Sequence, residues 1–121
     1  MCDTQYSNTM STDESVFQNQ ILELRRGSIV IAIVGILAKR TLYGYALLKE
    51  LELYNVPVDG GTLYPLLRRL EKQGVLSSIW QVTENRPRKY YSLTKDGALL
   101  HRNLADEWTV LNQNITKILE K

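Results

Sequence analysis

GGTLYPLLRRLEKQG, Gly60 to Gly74, reads as one short helix set between glycines, and its two sides differ in kind. Leu63, Leu66, Leu67 and Leu70 fall at i, i+3, i+4 and i+7, the stripe that a helix buries against a core. A turn of about 100° per residue puts Tyr64, Pro65, Arg68 and Lys72 on the opposite face. Arg69 stands on the flank of that face and Glu71 near the apolar boundary. Thr62 is suited to cap this helix, Pro65 then falls in its first turn, and Gly74 stops it. Leucine fixes one side against a core. The basic side is either a solvated face or a surface for a polyanion.

The neighbouring segments supply that core. Residues 1–14 are polar and acidic and read as a flexible tail. A helix is expected from about Ser15, capped by Asp13 or Ser15, with Val16, Phe17, Ile21 and Leu24 apolar. It thickens into the wholly apolar run that ends at Ala38, and Gly27 offers a break within it. After a linker over 39–42, YGYALLKELELY (Tyr43–Tyr54) has Ala46, Leu47, Leu51 and Tyr54 at helical spacing. Asn55, Pro57, Asp59 and the two glycines then interrupt the chain.

Beyond Gly74 the period changes to two. Val75–Thr83 and Lys89–Leu93 are rich in β-branched and aromatic residues, with ENRPR (84–88) as the turn of a basic-tipped hairpin. Tyr90 and Tyr91 point to opposite faces, so at least one belongs to the core, and Trp80 reads as packing. From Thr94 a last helix carries Leu100, Leu104, Trp108, Leu111, Ile115 and Ile118, the alternating three-and-four rhythm of a coiled coil. The expected architecture is mainly α with a small β-hairpin. A winged helix-turn-helix occupies residues 15–93, and a long C-terminal dimerisation helix occupies 94–121.

In that arrangement the third helix enters the DNA major groove and the hairpin, or wing, touches the backbone or minor groove nearby. The charge distribution agrees. Residues 62–95 hold seven basic side chains against Glu71 and Glu84, whereas residues 1–24 hold four acids and no Lys or Arg. The candidate DNA contacts are Tyr43, Thr62, Tyr64, Pro65, Arg68, Arg69 and Lys72, with Arg86, Arg88 and Lys89 on the wing. Arginine and lysine can neutralise phosphates or reach guanine edges, and Tyr64 in a first turn can bond a phosphate at a helix end favourable to anions.

Composition narrows the alternatives. The chain of 121 residues is one domain's worth, and its one cysteine, Cys2, permits neither an internal disulfide nor a cysteine metal cluster. His101 lacks companions at ligand spacing. No nucleophile elbow, zinc-protease or phosphate-loop pattern occurs, so no catalytic residue, cofactor or metal is expected. The longest apolar run, Ile29–Ala38, is too short to span a bilayer, and no secretory leader is evident at the N-terminus. A cytoplasmic protein without a membrane role is expected.

GGTLYPLLRRLEKQGVLSSIW followed by RPRKYYSLTKDG resembles the signature of PadR-type transcriptional regulators, and GYALLKEL (Gly44–Leu51) fits the helix before it. The similarity covers roughly residues 22–119, because the TLY, LRRLE, G and KYYxLT elements recur in order. It is to the shorter branch, with a single C-terminal dimerisation helix. The resemblance implies a homodimeric winged-helix repressor on a palindromic operator, often controlling detoxification, efflux or phenolic-acid genes. It also implies a small aromatic effector, since in some members a tryptophan of the last helix lines a cavity at the dimer interface. Trp108 falls at a matching place, and Asn112 and Asp106 are the polar candidates beside it. Relatives often carry glycine in the wing turn where this chain has Asn85 and Arg86, and the acidic tail is longer than the pattern requires.

The uncovered a/d stripe of Leu104, Trp108, Leu111, Ile115 and Ile118, with Val16, Phe17 and Ile21 near the start of the first helix, is the expected dimer interface. Trp108 also has the plainer reading of interface packing. Two other functions use the same features: a winged-helix protein-interaction module, or a ligand-sequestering dimer without a specific operator. The first calls for an apolar patch on the outward side of the third helix, where this chain is basic.

Overall fold

Gly27 divides the long N-terminal helical stretch in two. The computed structural model describes residues 10–120. In order these form α1 (Met10–Arg26), α2 (Ile29–Leu37), β1 (Leu42–Tyr43), α3 (Gly44–Leu53), α4 (Gly60–Lys72), β2 (Leu76–Thr83), β3 (Arg86–Leu93) and α5 (Lys95–Leu119). The first nine residues of the tail expected over 1–14 lie outside the described residues. The rest of that stretch is already helical, because α1 begins at Met10 rather than near Ser15. Asp13 is then not a cap but an acid of the first turn, where it complements the helix dipole.

The core gathers one face from each element between residues 29 and 93. Ile33 and Leu37 of α2, Leu47 and Leu51 of α3, and Leu63, Leu67 and Leu70 of α4 pack together with Leu76 of β2 and Tyr91 of β3. Removing each such leucine or isoleucine side chain from water contributes about 1.5–3 kcal/mol, which makes this cluster the chief support of the fold. Of the two adjacent tyrosines, Tyr91 belongs to the core.

The sheet has three strands, in the order β1-β3-β2. β1 pairs Leu42 with Tyr91 and Tyr43 with Tyr90, a two-residue strand too short to show a period in sequence. The hairpin is also tighter than the expected turn over 84–88. Only Glu84 and Asn85 lie between the strands, at φ 55° and 61°, the two successive positive values of a type I′ turn. β3 therefore starts at Arg86, and Pro87 sits opposite Val82. That pair follows the hydrogen-bonded turn pair, so the ring nitrogen faces the free edge and no ladder bond is lost.

Asp59, not Thr62, caps α4: its carboxylate accepts the Thr62 N–H at 2.8 Å. The helix thus begins at Gly60, and Pro65 lies in the second turn instead of the first. Thr94 caps α5 as expected, its Oγ1 accepting from the Gly97 N–H at 2.9 Å and donating to the Gly74 carbonyl at 2.6 Å. A Cβ at Gly97 would run into the Val75 carbonyl, so the start of α5 lies directly on the turn after α4. The first part of α5 packs on α2 and β3. From Ala105 to Glu120 every residue is exposed.

Candidate nucleic-acid interface

The leucine stripe of α4 is buried, and this alone forces its basic face outward. Thr62, Pro65, Arg68, Arg69 and Lys72 are exposed, and Tyr64 is half-buried. Among the described residues no acid pairs with Arg68, Arg69 or Lys72. Tyr64 lies against Gly44 at the start of α3, where any side chain would strike its ring. Beside it opens a cleft of about 440 Å³, bordered by the tyrosines at the start of α3 and by Arg86, Arg88 and Lys89 of β3. A hollow lined by tyrosines and basic side chains suits a phosphate.

The wing cations are held rather than free. The Arg88 guanidinium stacks 4.4 Å from the centre of the Tyr43 ring, and Glu84 lies 3.8 Å away, leaving the Arg88 side chain 20% exposed. Tyr43 in turn meets Tyr90 edge to face at 5.3 Å, and the Tyr90 hydroxyl lies 3.1 Å from Thr83 Oγ1. On the other side of the hairpin, Lys89 faces Glu71 of α4 at 3.3 Å, and Ser78 donates to the same carboxylate at 2.6 Å. The Ser78 hydrogen bond, aided by Lys89, holds the Glu71 carboxyl below its ordinary range. Arg86 is the wing cation left exposed.

The ten candidate DNA residues thus fall into two groups. Tyr43, Tyr64, Arg86, Arg88 and Lys89 border the cleft, and Thr62, Pro65, Arg68, Arg69 and Lys72 lie along α4. One expectation is withdrawn. The first turn of α4 is not an open anion site, because the Asp59 carboxylate already occupies it. Sequence reasoning missed Tyr45, and it missed Glu71 and Ser78 as the tie between wing and helix. It also took Trp80 for packing, whereas Trp80 is 67% exposed. Alternation continues from the buried Leu76 through Ser78 to Trp80, but the hairpin by then extends past the core.

On α5 the expected interface is uncovered. Trp108, Leu111, Ile115 and Ile118 are exposed, as are Val16 and Phe17 of α1, while Leu104 and Ile21 are half-buried. Asn112, one turn beyond Trp108, shares its face. Asp106 precedes Trp108 by two residues and so stands about 200° round the helix. It cannot face the same cavity as Trp108 of its own chain and is withdrawn from that set. Among the described residues, no group of three His, Cys, Asp or Glu side chains could hold a metal. No described helix is long and apolar enough to cross a membrane.

The Transcriptional regulator PadR-like family matches residues 33–103, which span α2 through the start of α5. A PadR family transcriptional regulator from Eggerthella lenta is 41% identical, with a TM-score of 0.83 over 93% of this chain and 98% of its own. A PadR-like transcription factor from Bacteroides fragilis is 34% identical, with a TM-score of 0.69 over 83% of this chain and 98% of its own. A transcriptional regulator of Mycobacterium tuberculosis is 36% identical over 75 residues, 62% of this chain and 70% of the relative.

Proposed function

This chain belongs to the PadR-like family of transcriptional regulators, and we propose that it is a homodimeric repressor that reads a palindromic operator and is released by a small aromatic effector. As a member of that family it is a DNA-binding regulator and not an enzyme. The observation that carries the rest is the pairing of two uncovered surfaces, the unpaired cations of α4 and the apolar stripe of α5. The first suits phosphates and base edges, and the second suits a second copy of the chain. Two-fold related α4 helices would meet a two-fold related sequence, and occupancy of a promoter by such a dimer excludes polymerase. The working compartment is then the cytoplasm, where the DNA is.

Support for an effector comes from Trp108. It is 47% exposed on the stripe and has Asn112 on the same face, so two copies would offer flat indole surfaces and amides to an aromatic ring. Release requires the ligand to favour one spacing of the two α4 helices, since equal affinity for both states shifts nothing. The tight seat of Gly97 on the α4–β2 turn supports such coupling, because tilting α5 must move that turn.

Selection of duplexes from a random library by the purified protein tests the DNA reading; enrichment of one inverted repeat is expected, and a flat library contradicts it. Titration with aromatic compounds, followed by tryptophan fluorescence in wild type and Trp108→Ala, tests the effector. Quenching that survives in the variant removes Trp108 from that role.

A further inference from the structure

Past the core the wing is a two-stranded ribbon with a free edge on each side, and the two edges differ. β1 covers β3 only at Tyr90 and Tyr91, and the rest of that edge carries Arg86, Pro87, Arg88 and Lys89. Proline and basic side chains keep an edge from pairing with another chain. β2 is the outermost strand on the other side, and from Leu76 to Thr83 it holds no charged residue and no proline. Thr83 and Arg86 flank a two-residue turn and form a hydrogen-bonded pair, so alternation commits Ser77, Ile79 and Gln81 to β3 as well. The N–H and C=O groups of Ser78, Trp80 and Val82 point to the free edge, and among the described residues no other element supplies them a backbone partner. Trp80 is 67% and Val82 75% exposed there.

We infer that the outer edge of β2 pairs antiparallel with β2 of a second copy, Trp80 against Trp80, in a form of the protein that excludes DNA. The exclusion rests on the regulator reading above; the pairing does not. A second copy is the occupant because the edge matches itself. A two-fold axis at Trp80 sets Ser78 opposite Val82 and Trp80 opposite its own copy, each pair exchanging both backbone hydrogen bonds. Any other antiparallel register leaves part of the open edge unpaired. A charged residue near the axis would face its own copy at short range, and β2 has none. The two indoles fall on the same side of the joined sheet and cover each other. This register also sets Arg86 of each copy level with Ser77 of the other, so the exposed cations of the two wing tips lie about 20 Å apart along the strands, beyond the screening length at physiological salt. The body of each copy then lies beside the wing tip of the other, where a duplex would have to pass. A contact from Ser78 to Val82 buries well under the roughly 1,200 Å² of a stable complex, so the association is weak and belongs to high protein concentration.

Cross-linking tests the pairing and its register. Hydrogen-bonded partners across antiparallel strands have Cα atoms about 5.5 Å apart, within reach of a disulfide. Cys2→Ser removes the native thiol, and Trp80→Cys in that background is expected to give a covalent pair of chains on mild oxidation at high micromolar concentration. Ile79 is also exposed, but its own copy lies on the diagonal at about 8 Å, too far to bridge, so Ile79→Cys is expected to give about tenfold less. The Trp80→Cys cross-link should survive Leu111→Glu combined with Ile115→Glu, which separates this edge from the stripe of α5. Excess duplex enriched by selection should suppress it roughly tenfold, since a copy bound to DNA is withdrawn from pairing. In sedimentation of the otherwise wild-type chain, Trp80→Lys sets two ammonium groups face to face and should remove association beyond the α5 dimer. Equal cross-linking at positions 79 and 80, or wild-type protein with no association beyond that dimer at high micromolar concentration, overturns the pairing. Cross-linking that is unchanged when the duplex is bound overturns the exclusion of DNA. Protein that binds no duplex overturns the regulator reading, while the pairing is still decided by the cross-link.

Discussion

Glu71 of α4 and Lys89 of the β2–β3 hairpin lie 3.3 Å apart, and the same carboxylate accepts a hydrogen bond from Ser78 at 2.6 Å. One acid therefore ties α4 to both strands of the hairpin and sets the angle between the two elements. Its folded pKa lies below the ordinary value, chiefly because of the Ser78 hydrogen bond. For a depressed carboxylate the stabilisation is present above the ordinary carboxyl range and is lost as pH falls through the folded value. Glu71→Gln is thus expected to be less stable than wild type at pH 7, on the order of 1 kcal/mol given a partly exposed pair. Urea unfolding at neutral and acid pH checks this. The gap between the two proteins should close below about pH 4, and a gap independent of pH would remove the ionic tie.

Much of this was legible from residue spacing. The leucines of α4 declared their buried face because the period was 3.6 and the intervening residues were charged. Glu71, read as lying near the apolar boundary, is half-buried there. What sequence left open was settled by contacts between distant residues. β1 exists only because β3 offers its edge to Leu42 and Tyr43. Asp59 takes the cap from Thr62 because its carboxylate reaches the Thr62 N–H three residues on, the spacing a capping side chain needs. The state of Arg88 depends on Tyr43, which is far away in the chain.

The wing turn carries local strain that two substitutions should relieve. Glu84 and Asn85 both adopt positive φ, a conformation that costs an ordinary L-residue about 1–2 kcal/mol. Replacing them with the preferred pair, Glu84→Asn together with Asn85→Gly, is expected to raise stability by about 1 kcal/mol. Thermal unfolding should show a gain of a few degrees. An unchanged or lower midpoint would mean that the Glu84 contact with Arg88 at 3.8 Å matters more than the backbone.

Gly97 is fixed by space rather than by φ. Its missing Cβ leaves room for the Val75 carbonyl, a backbone atom that cannot rotate aside. Gly97→Ala should therefore destabilise by about 1–3 kcal/mol, despite the better helix propensity of alanine. Gly35, whose Cβ would meet nothing within 4 Å, is the comparison, and Gly35→Ala in the middle of α2 should be neutral or stabilising. Equal midpoints for the two variants would show that α5 does not bear on that turn.

DNA affinity should fall steeply with salt. Arg68, Arg69, Lys72 and Arg86 are exposed in each copy, so a dimer offers about eight candidate phosphate contacts, and a log–log slope of about −5 to −7 is expected if most of them engage. Arg86→Ala should reduce the slope by up to about two, one for each copy. Lys89→Ala should reduce it less, since its charge is already met by Glu71. Fluorescence anisotropy across a salt series measures these slopes. A slope near zero for wild type would contradict the electrostatic account of both α4 and the wing.

The last prediction joins assembly to helix formation. α5 has 25 residues, about 37 Å of helix, and every residue from Ala105 to Glu120 is exposed in the single chain. A helical segment of that length is marginal in water without tertiary support, and this one exposes Trp108, Leu111, Ile115 and Ile118 together. Covering the stripe with a second copy removes both difficulties at once. Leu111→Glu combined with Ile115→Glu places carboxylates in that seam, where they would be buried without partners. The variant should sediment as a monomer at micromolar concentration, and its circular dichroism should show less helix as the outer half of α5 frays. The core of residues 29–93 should still unfold cooperatively, since neither position touches it. Wild-type protein that sediments as a monomer with α5 fully helical would sink the dimer, and with it any cavity between two copies of Trp108.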